Sequence, residues 1–400
     1  MNSEMHILLL PSWYPKAPDD VGGVFFRDQA LALQDYGHRV GVIAPSMRSL
    51  RTLNKLATPK LSACENDSGL LTYRKELLAA LPRVPYGNYY LFKKAARALL
   101  RQYINDNGKP DILHAHAAIF AGAAGAELSD EFNIPLVLTE HSTGFARLAY
   151  SAWQLNLAEK AVRRAVACIA VSPSLAELLS KHFSLIEQSW KWIPNVVADR
   201  FKAPEKRKRM ERPIRFLNLA LMTEKKGQFD LLEAFGELNR TGLDVELWLA
   251  GDGPIRSGLE QMVVKVGLQE KVRFLGLVAP EDVPALLNEV DVMVVSSHYE
   301  TFGVVAAEAL MAGLPVVATR CGGPECIVEA GDGLLVPPKQ PGELGDAMRY
   351  VAESLPAFDP VTIAERARSR FSGAAIARQL TAVYQNVLSS NLSSPSTHAG

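Results

Sequence analysis

Cysteine is scarce in this 400-residue chain, and the four present, Cys64, Cys168, Cys321 and Cys326, show neither a CxxC pair nor a metal-ligand spacing. That speaks against a dithiol or metal centre and suits a reducing cytoplasm. Long apolar runs are missing too. Nothing approaches about 18 consecutive apolar residues, so no segment is expected to span a membrane. Ile7 to Leu10 is too short for a signal-peptide core and runs into Pro11. Net charge is absent: 43 basic residues balance 43 acidic ones, which argues against a nucleic-acid binder. The balance hides an asymmetry, because residues 1–198 carry 21 basic against 17 acidic side chains. A soluble or peripheral protein is expected, cytoplasmic and at most attached to the inner face of the plasma membrane. With 48% hydrophobic content, the chain is long enough for two domains, each with its own core.

What is there is organised around residues 291–323, DVMVVSSHYETFGVVAAEALMAGLPVVATRCGG. Two β-branched runs, DVMVV and PVVAT, flank a short helical stretch, which predicts a parallel βαβ unit. Glu300 falls at the carboxyl end of the first strand, Phe302-Gly303 marks the turn into the helix, and Glu308 lies about one turn inside it. Four helical residues rise only about 6 Å, so both carboxylates can line one crevice with the helix N–H groups between them. Such a site suits an anion flanked by hydroxyls, as in a nucleotide-sugar. The bland alternative is an amphipathic helix with Glu308 merely solvated. Ala306, Ala307, Ala309, Leu310 and Met311 are core-like on either reading, but the alternative leaves Glu300 and Phe302-Gly303 unexplained.

Glu300-x7-Glu308, followed by ALMAGLPVVAT and by Gly322-Gly-Pro-Glu325, resembles the signature of glycosyltransferase family 4, retaining enzymes of GT-B fold. The resemblance extends over nearly the whole chain and is weakest at residues 48–109. It implies an α/β protein of two Rossmann-like, doubly wound domains facing a central cleft. The expected division is 1–198 for the acceptor-side domain, 199–213 for a charged, Pro-flanked linker, and 214–376 for the nucleotide-sugar domain. A last helix at about 377–390 returns to the first domain, and 389–400, Ser-rich and aperiodic, reads as a disordered tail.

The first half opens as strand, glycine loop, helix, strand. Gly22-Gly23 lets backbone approach a phosphate, and a simple tight turn is the alternative. With Pro11-Ser-Trp-Tyr-Pro15 before it and Asp28-Gln-Ala-Leu-Ala-Leu33 after it, the stretch is similar to the first βα unit of family 4 enzymes that build bacterial surface polysaccharides. That similarity implies that Gly22 and Gly23 face the donor phosphates. Residues 89–104 form an amphipathic helix with Lys93, Lys94, Arg97 and Arg101 on its polar side, either on anionic lipid or on an ordinary solvated face. Asp111 to His116 is a strand ending in two histidines. Without a third ligand a zinc site is not expected, and the resemblance makes His114 and His116 candidates for lining the acceptor crevice. The next strand delivers Glu140, a further acceptor-side candidate, and His141. The resemblance places His141 against the transferred sugar; the alternative is a loop histidine, with Ser142 or Thr143 capping the following helix.

In the second half, Lys226-Gly227 matches a family Lys-Gly whose lysine neutralises the donor diphosphate. Five residues earlier many members carry an arginine that shares this task, and this chain has Leu221 there, with Lys225 beside Lys226. The turns at Gly251-Asp252-Gly253 and Gly276 border the nucleotide in the family, and Phe302, Gly303 and Val304 complete the donor side. The implied reaction moves a sugar from a UDP- or GDP-sugar to a glycan or lipid-linked glycan acceptor, in bacterial polysaccharide synthesis such as exopolysaccharide or lipopolysaccharide. Glu300, His141 and Lys226 are the expected catalytic residues. The chain has no Asp-x-Asp, so neither metal nor other cofactor is expected. A nucleotide-sugar epimerase of the same shape, or a binding subunit with a degenerate site, motivated by Leu221, stays open.

Overall fold

The computed structural model describes residues 4–16, 20, 22–48, 63–79, 84, 86–204 and 212–392. The chain divides into two compact units, residues 1–196 with 373–400, and residues 197–372. Of the stretch read as a linker, residues 205–211 lie outside the described residues. Its flanks are anchored: Phe201 is buried, and Arg212 makes a two-pronged pair with Asp291 at 2.7 and 3.2 Å.

The first unit is built on β1 (His6–Pro11), α1 (Val24–Asp35), β2 (Arg39–Arg48), β3 (Ala63–Asp67), β4 (Leu70–Leu78), α2 (Gly87–Asn107) and β5 (Ile112–His116). It continues with α3 (Ala123–Phe132), β6 (Leu136–Glu140), α4 (Ala152–Arg164), β7 (Ala167–Ala170), α5 (Pro173–His182) and β8 (Trp190–Trp192). The sheet order is β3-β4-β2-β1-β5-β6-β7-β8, with only the β3–β4 pair antiparallel. The order reverses direction between β1 and β5, so the crevice at their carboxyl ends is this unit's switch point. β1 is buried along Ile7 to Pro11, as a central parallel strand covered on both faces must be. Gly41 sits in β2 because a Cβ there would lie 2.3 Å from the Tyr103 hydroxyl of α2.

Two elements differ from expectation, and the structure bears on a third, left open between two readings. The helix after β6 starts at Ala152, not beside Ser142: Ser151 is its cap, in a reciprocal capping box with Gln154. Lys93 of α2 pairs with Glu127, at 2.6 Å, and Arg97 and Arg101 pair with Glu131, at 2.6 and 2.8 Å, both acids on α3. Three of the four cations on that helix thus face acidic partners within the fold, which favours the ordinary-helix reading. The last helix, α12 (Gly373–Leu392), begins earlier than the pattern suggested, and it carries Ser389 and Ser390, read as tail, as regular helix. Helix propagation from the buried anchors Ile376, Leu380, Val383, Tyr384 and Val387, which join the core formed with α1, β1 and β2, explains this. Residues 393–400 lie outside the described residues.

The second unit runs β9 (Ile214–Leu219), α6 (Gln228–Asn239), β10 (Val245–Ala250), α7 (Arg256–Lys265), β11 (Val272–Gly276), α8 (Val283–Asn288) and β12 (Val292–Val295). It ends with α9 (Val304–Met311), β13 (Val316–Thr319), β14 (Gly333–Val336), α10 (Pro341–Glu353) and α11 (Pro360–Phe371). Its sheet is wholly parallel in the order β11-β10-β9-β12-β13-β14. Here the switch point lies between β9 and β12. Lys226 follows the first of these strands and Glu300 the second. Among the described residues no helix is long and apolar enough to cross a membrane.

Candidate active site

In the second unit the loops after β9 and β12 are stitched together by backbone. His298 N–H donates to the Lys225 carbonyl at 2.8 Å, and the Ser296 hydroxyl donates to the Lys226 carbonyl at 2.9 Å. The approach is close enough that a Cβ on Gly227, whose φ is +64°, would stand 2.1 Å from the Ser296 carbonyl oxygen. His298 completes the join with a 2.8 Å contact to Asp230 of α6.

This join brings Lys226 onto Glu300, and the two form an ion pair. Glu300 is 7% exposed and takes a second hydrogen bond on the same oxygen, from Ser297 Oγ at 2.8 Å. Ser297 is held in turn by Thr319, whose hydroxyl donates to its carbonyl at 2.5 Å. Ser297 was not among the site residues expected from the sequence. Two adjacent hydroxyls at a strand's carboxyl end were the available signal.

Three residues past Glu300, α9 starts at Gly303 with φ +91°, no side-chain cap and no acidic residue in its first turn. Its N-terminus therefore presents uncompensated positive potential next to the Lys226–Glu300 pair. Glu308 is half-buried one turn further on. The floor is set by Glu325, whose two oxygens accept the Gly322 N–H at 3.0 and 2.9 Å, and by Gly323, where a Cβ would lie 2.1 Å from the Phe302 carbonyl oxygen. Phe302, expected on the donor side, buries its ring against Phe371 with centroids 5.8 Å apart, so only its backbone is available to a ligand. Val304 is half-buried at the first helical position.

The β10 turn borders the same loop: Met222 N–H donates to the Asp252 carbonyl at 2.9 Å, and Gly251 N–H to the Gly276 carbonyl at 2.7 Å. Asp252 accepts from Gly253 N–H at 2.8 Å and lies 3.6 Å from Arg256. Leu221 projects outward, 55% exposed, while its carbonyl accepts from Gln228 at 3.2 Å. Lys225 is half-buried beside Lys226.

In the first unit, Gly22 N–H donates to Asp20 at 2.9 Å, and Gly23, with φ +88°, starts α1 with no side-chain cap and no acid in its first turn. This is a second uncapped helix start at a switch point. His141 follows β6, 7% exposed, its ring centroid 5.2 Å from that of Phe25 and 5.0 Å from that of Phe26. Burial lowers its pKa to about 3, against a small opposing pull from Asn195, so it is neutral at physiological pH.

The three acceptor-side candidates do not line a crevice. His114 is fully buried, its nitrogens bonded to Tyr384 and Thr139 at 2.7 Å each, and burial takes its pKa to about 3. His116, also fully buried, contacts His141 at 3.0 Å. Glu140, 1% exposed, accepts from the backbone N–H groups of Ala118, His141 and Ser142 at 2.7, 2.8 and 2.6 Å. Burial raises its pKa while those donors oppose the rise. It pins the loops after β5 and β6. The physical reason is common to all three: they sit on or at the end of central strands, where alternate side chains point into packed layers. Among the described residues no group of three or more His, Cys, Asp or Glu is placed to hold a metal ion.

A sheet whose switch point carries a lysine, a carboxylate and an open helix start, paired in sequence with a second doubly wound unit, defines the GT-B glycosyltransferase class. Two family models meet end to end on the chain: Glycosyltransferase Family 4 over residues 22–201 and Glycosyl transferases group 1 over residues 199–368. The chain belongs to glycosyltransferase family 4. It is 29% identical to the putative teichuronic acid biosynthesis glycosyltransferase TuaC of Bacillus subtilis, over 96% of this chain and 99% of that one. It is 30% identical to the glycogen synthase of Mycobacterium tuberculosis over 65% of this chain. That alignment spans 63% of the mycobacterial protein's length. HepE of Anabaena, solved with UDP, superposes with a TM-score of 0.71 at 21% identity, over 96% of this chain and all of that one.

Proposed function

We propose that this protein transfers a sugar, with retention at the anomeric carbon, from a UDP- or GDP-sugar to a glycan or lipid-linked glycan acceptor in bacterial surface-polysaccharide synthesis. The observation that carries the reading is the Lys226–Glu300 pair set beside the uncapped start of α9. Full-length similarity to a teichuronic acid glycosyltransferase supports the pathway class, and a same-fold neighbour solved with UDP supports the donor class.

The acceptor hydroxyl oxygen bonds to the anomeric carbon as the bond from that carbon to the diphosphate oxygen breaks. The departing oxygen takes the acceptor's proton, so the products are the new glycoside and a nucleoside diphosphate. Charge develops on that oxygen, and in this reading Lys226 and the α9 N–H groups stabilise it. Glu300 orients the sugar through its hydroxyls, Glu308 accepts from the ribose, and His141 contacts the sugar. Lys225, Gly251, Asp252, Gly253, the Phe302 backbone, Gly303 and Val304 complete the donor side, with Gly22 and Gly23 for the phosphates. No metal takes part in the reading. Where the acceptor is lipid-linked, the protein works peripherally at an anionic membrane, which vesicle co-sedimentation tests by its dependence on salt.

The deciding experiment is thermal stabilisation by UDP-glucose, GDP-mannose and ADP-glucose with EDTA present. A ligand at 100 times its Kd adds about 2.7 kcal/mol, so one donor class should raise the melting point by several degrees. No shift with any donor, with or without divalent metal, would sink the reading and favour a degenerate site.

A further inference from the structure

The carboxylate of Glu300 is used unevenly. Both of its donors, Lys226 Nζ and Ser297 Oγ, lie on Oε1, whereas Oε2 has no hydrogen-bond partner among the described residues and is not sealed from solvent. The small exposure that Glu300 keeps therefore includes its unspent oxygen. The main chain beneath is fixed separately, because Glu300 N–H donates to the Cys321 carbonyl at 2.9 Å and the residue bridges to Gly322 in parallel register. What remains is the rotation of the side chain, and whatever holds Oε1 decides it.

The two holders differ in what a ligand can do to them. Lys226 carries a cation on a flexible stem, with its side chain 18% exposed, so a diphosphate can draw it from Glu300. Ser297 is out of a ligand's reach at 2% exposed. Its hydroxyl is spent on Oε1 at 2.8 Å, and its carbonyl accepts from Thr319, itself buried and directed also at the Val295 carbonyl at 3.3 Å. The neighbouring Ser296 has another task. Its hydroxyl donates to the Lys226 carbonyl, so the two adjacent hydroxyls serve one half of the ion pair each.

We propose that Ser297 is a positioning residue: by holding Oε1 of Glu300 it keeps Oε2 turned to the donor's sugar once the diphosphate has engaged Lys226. Ser297 touches no substrate. In the free protein the carboxylate has two anchors, and in the loaded one the buried hydroxyl is the anchor that stays. A hydrogen bond to an ionised acceptor is roughly twice as strong as one between neutral groups, which suits a single hydroxyl to the task. The proposal rests on the reading of Lys226 as a diphosphate contact and Glu300 as a sugar contact.

Calorimetric titration of the full chain with EDTA present compares each sugar donor with its bare diphosphate: UDP-glucose with UDP, GDP-mannose with GDP, ADP-glucose with ADP. Loss of the hydroxyl should be felt where there is a sugar to hold. Ser297→Ala should weaken the donor at least about fivefold more than the bare diphosphate. Ser297→Cys, which keeps nearly the same shape with a much weaker donor, should show the same selective loss, and Ser296→Ala should weaken donor and diphosphate by similar factors. Equal weakening of both ligands in the Ser297 variants, or no weakening of either, overturns the proposal. A selective loss in Ser296→Ala does so too, since it would trace the effect to the loop as a whole. A wild type that binds none of these ligands is a different result: it removes the reading of the site and the proposal with it, whereas wild-type binding with unselective Ser297 variants removes the proposal alone.

Discussion

Lys226 and Glu300 are each other's partners in this structure, and that sets up a competition at the scale of single residues. A diphosphate must share or take Lys226 from a carboxylate that is 7% exposed and already holds Ser297 Oγ at 2.8 Å. Breaking a largely buried pair by removing one member costs more than replacing both, because the survivor keeps its desolvated charge. Glu300→Gln removes the competitor and leaves Lys226 to the ligand. This variant should bind UDP at least as tightly as wild type while its transfer rate falls at least about tenfold, or about 1.4 kcal/mol. Lys226→Ala should lose both affinity and rate by the same factor or more. Calorimetric titration with UDP beside a transfer assay separates the two, and wild-type affinity and rate in Lys226→Ala would remove the lysine from the site.

At the scale of elements, the second half of the chain was the legible one. β12 and β13 lie within the two β-branched runs, DVMVV and PVVAT, and the helix after Phe302-Gly303 starts at Val304. Local pattern sufficed there because each strand is a short β-branched run punctuated by Ser296-Ser297 or by Pro315. Elements decided by partners were not legible. The β3 strand and the part of β4 beyond Tyr73 depend on pairing across Ser68-Gly69 and with β2, and their polar residues serve an ion-pair cluster in which Arg74 contacts Glu65 and Asp67. The polar start of α10 hid its buried face of Leu344, Met348 and Val351. In the site, the motif residues Glu300 and Lys226 were readable from sequence, whereas the burial of His114, His116 and Glu140 depends on how β5 and β6 pack. The close contact between the 322–323 turn and the residue before α9 is likewise invisible in sequence, and it has a measurable cost. Gly323→Ala places a Cβ 2.1 Å from the Phe302 carbonyl oxygen, so backbone must move, at about 1–3 kcal/mol. Gly236→Ala in α6 is the control, since its Cβ meets nothing nearer than 3.7 Å and a helical alanine gains about 0.5–1 kcal/mol over glycine. Urea denaturation should lower the midpoint for the first and leave or raise it for the second. Equal midpoints would refute the close approach.

At the scale of the whole molecule, the two units carry different liabilities. The second unit stakes its chemistry on surface loops held by backbone bonds, whereas the first buries a histidine column in its core and closes it with the chain's last helix. That burial makes the first unit acid-sensitive. His114 and His141 are lowered to about 3 from 6.5 and His116 is lowered well below 6.5, all chiefly by burial, and burial lowers His6 and His38 as well. Between these folded values and 6.5 the unfolded chain binds more protons than the native one. The stability is therefore fully present above about pH 6.5 and drains as pH falls, by up to about 1.4 kcal/mol per pH unit for each histidine. Glu140, raised by burial, acts with the opposite sign above 4.5, but it is one group against several. Trp248 is the second unit's one tryptophan, and Trp13, Trp153, Trp190 and Trp192 all belong to the first. Tryptophan fluorescence of a Trp248→Phe protein thus follows the first unit alone. Its urea midpoint should fall between pH 7.5 and pH 5.5, and Tyr384→Phe, which removes the hydroxyl from His114, should lower the midpoint at both pH values. A midpoint that does not move with pH would mean that the column takes up protons while folded, and the neutral His141 would fall with it.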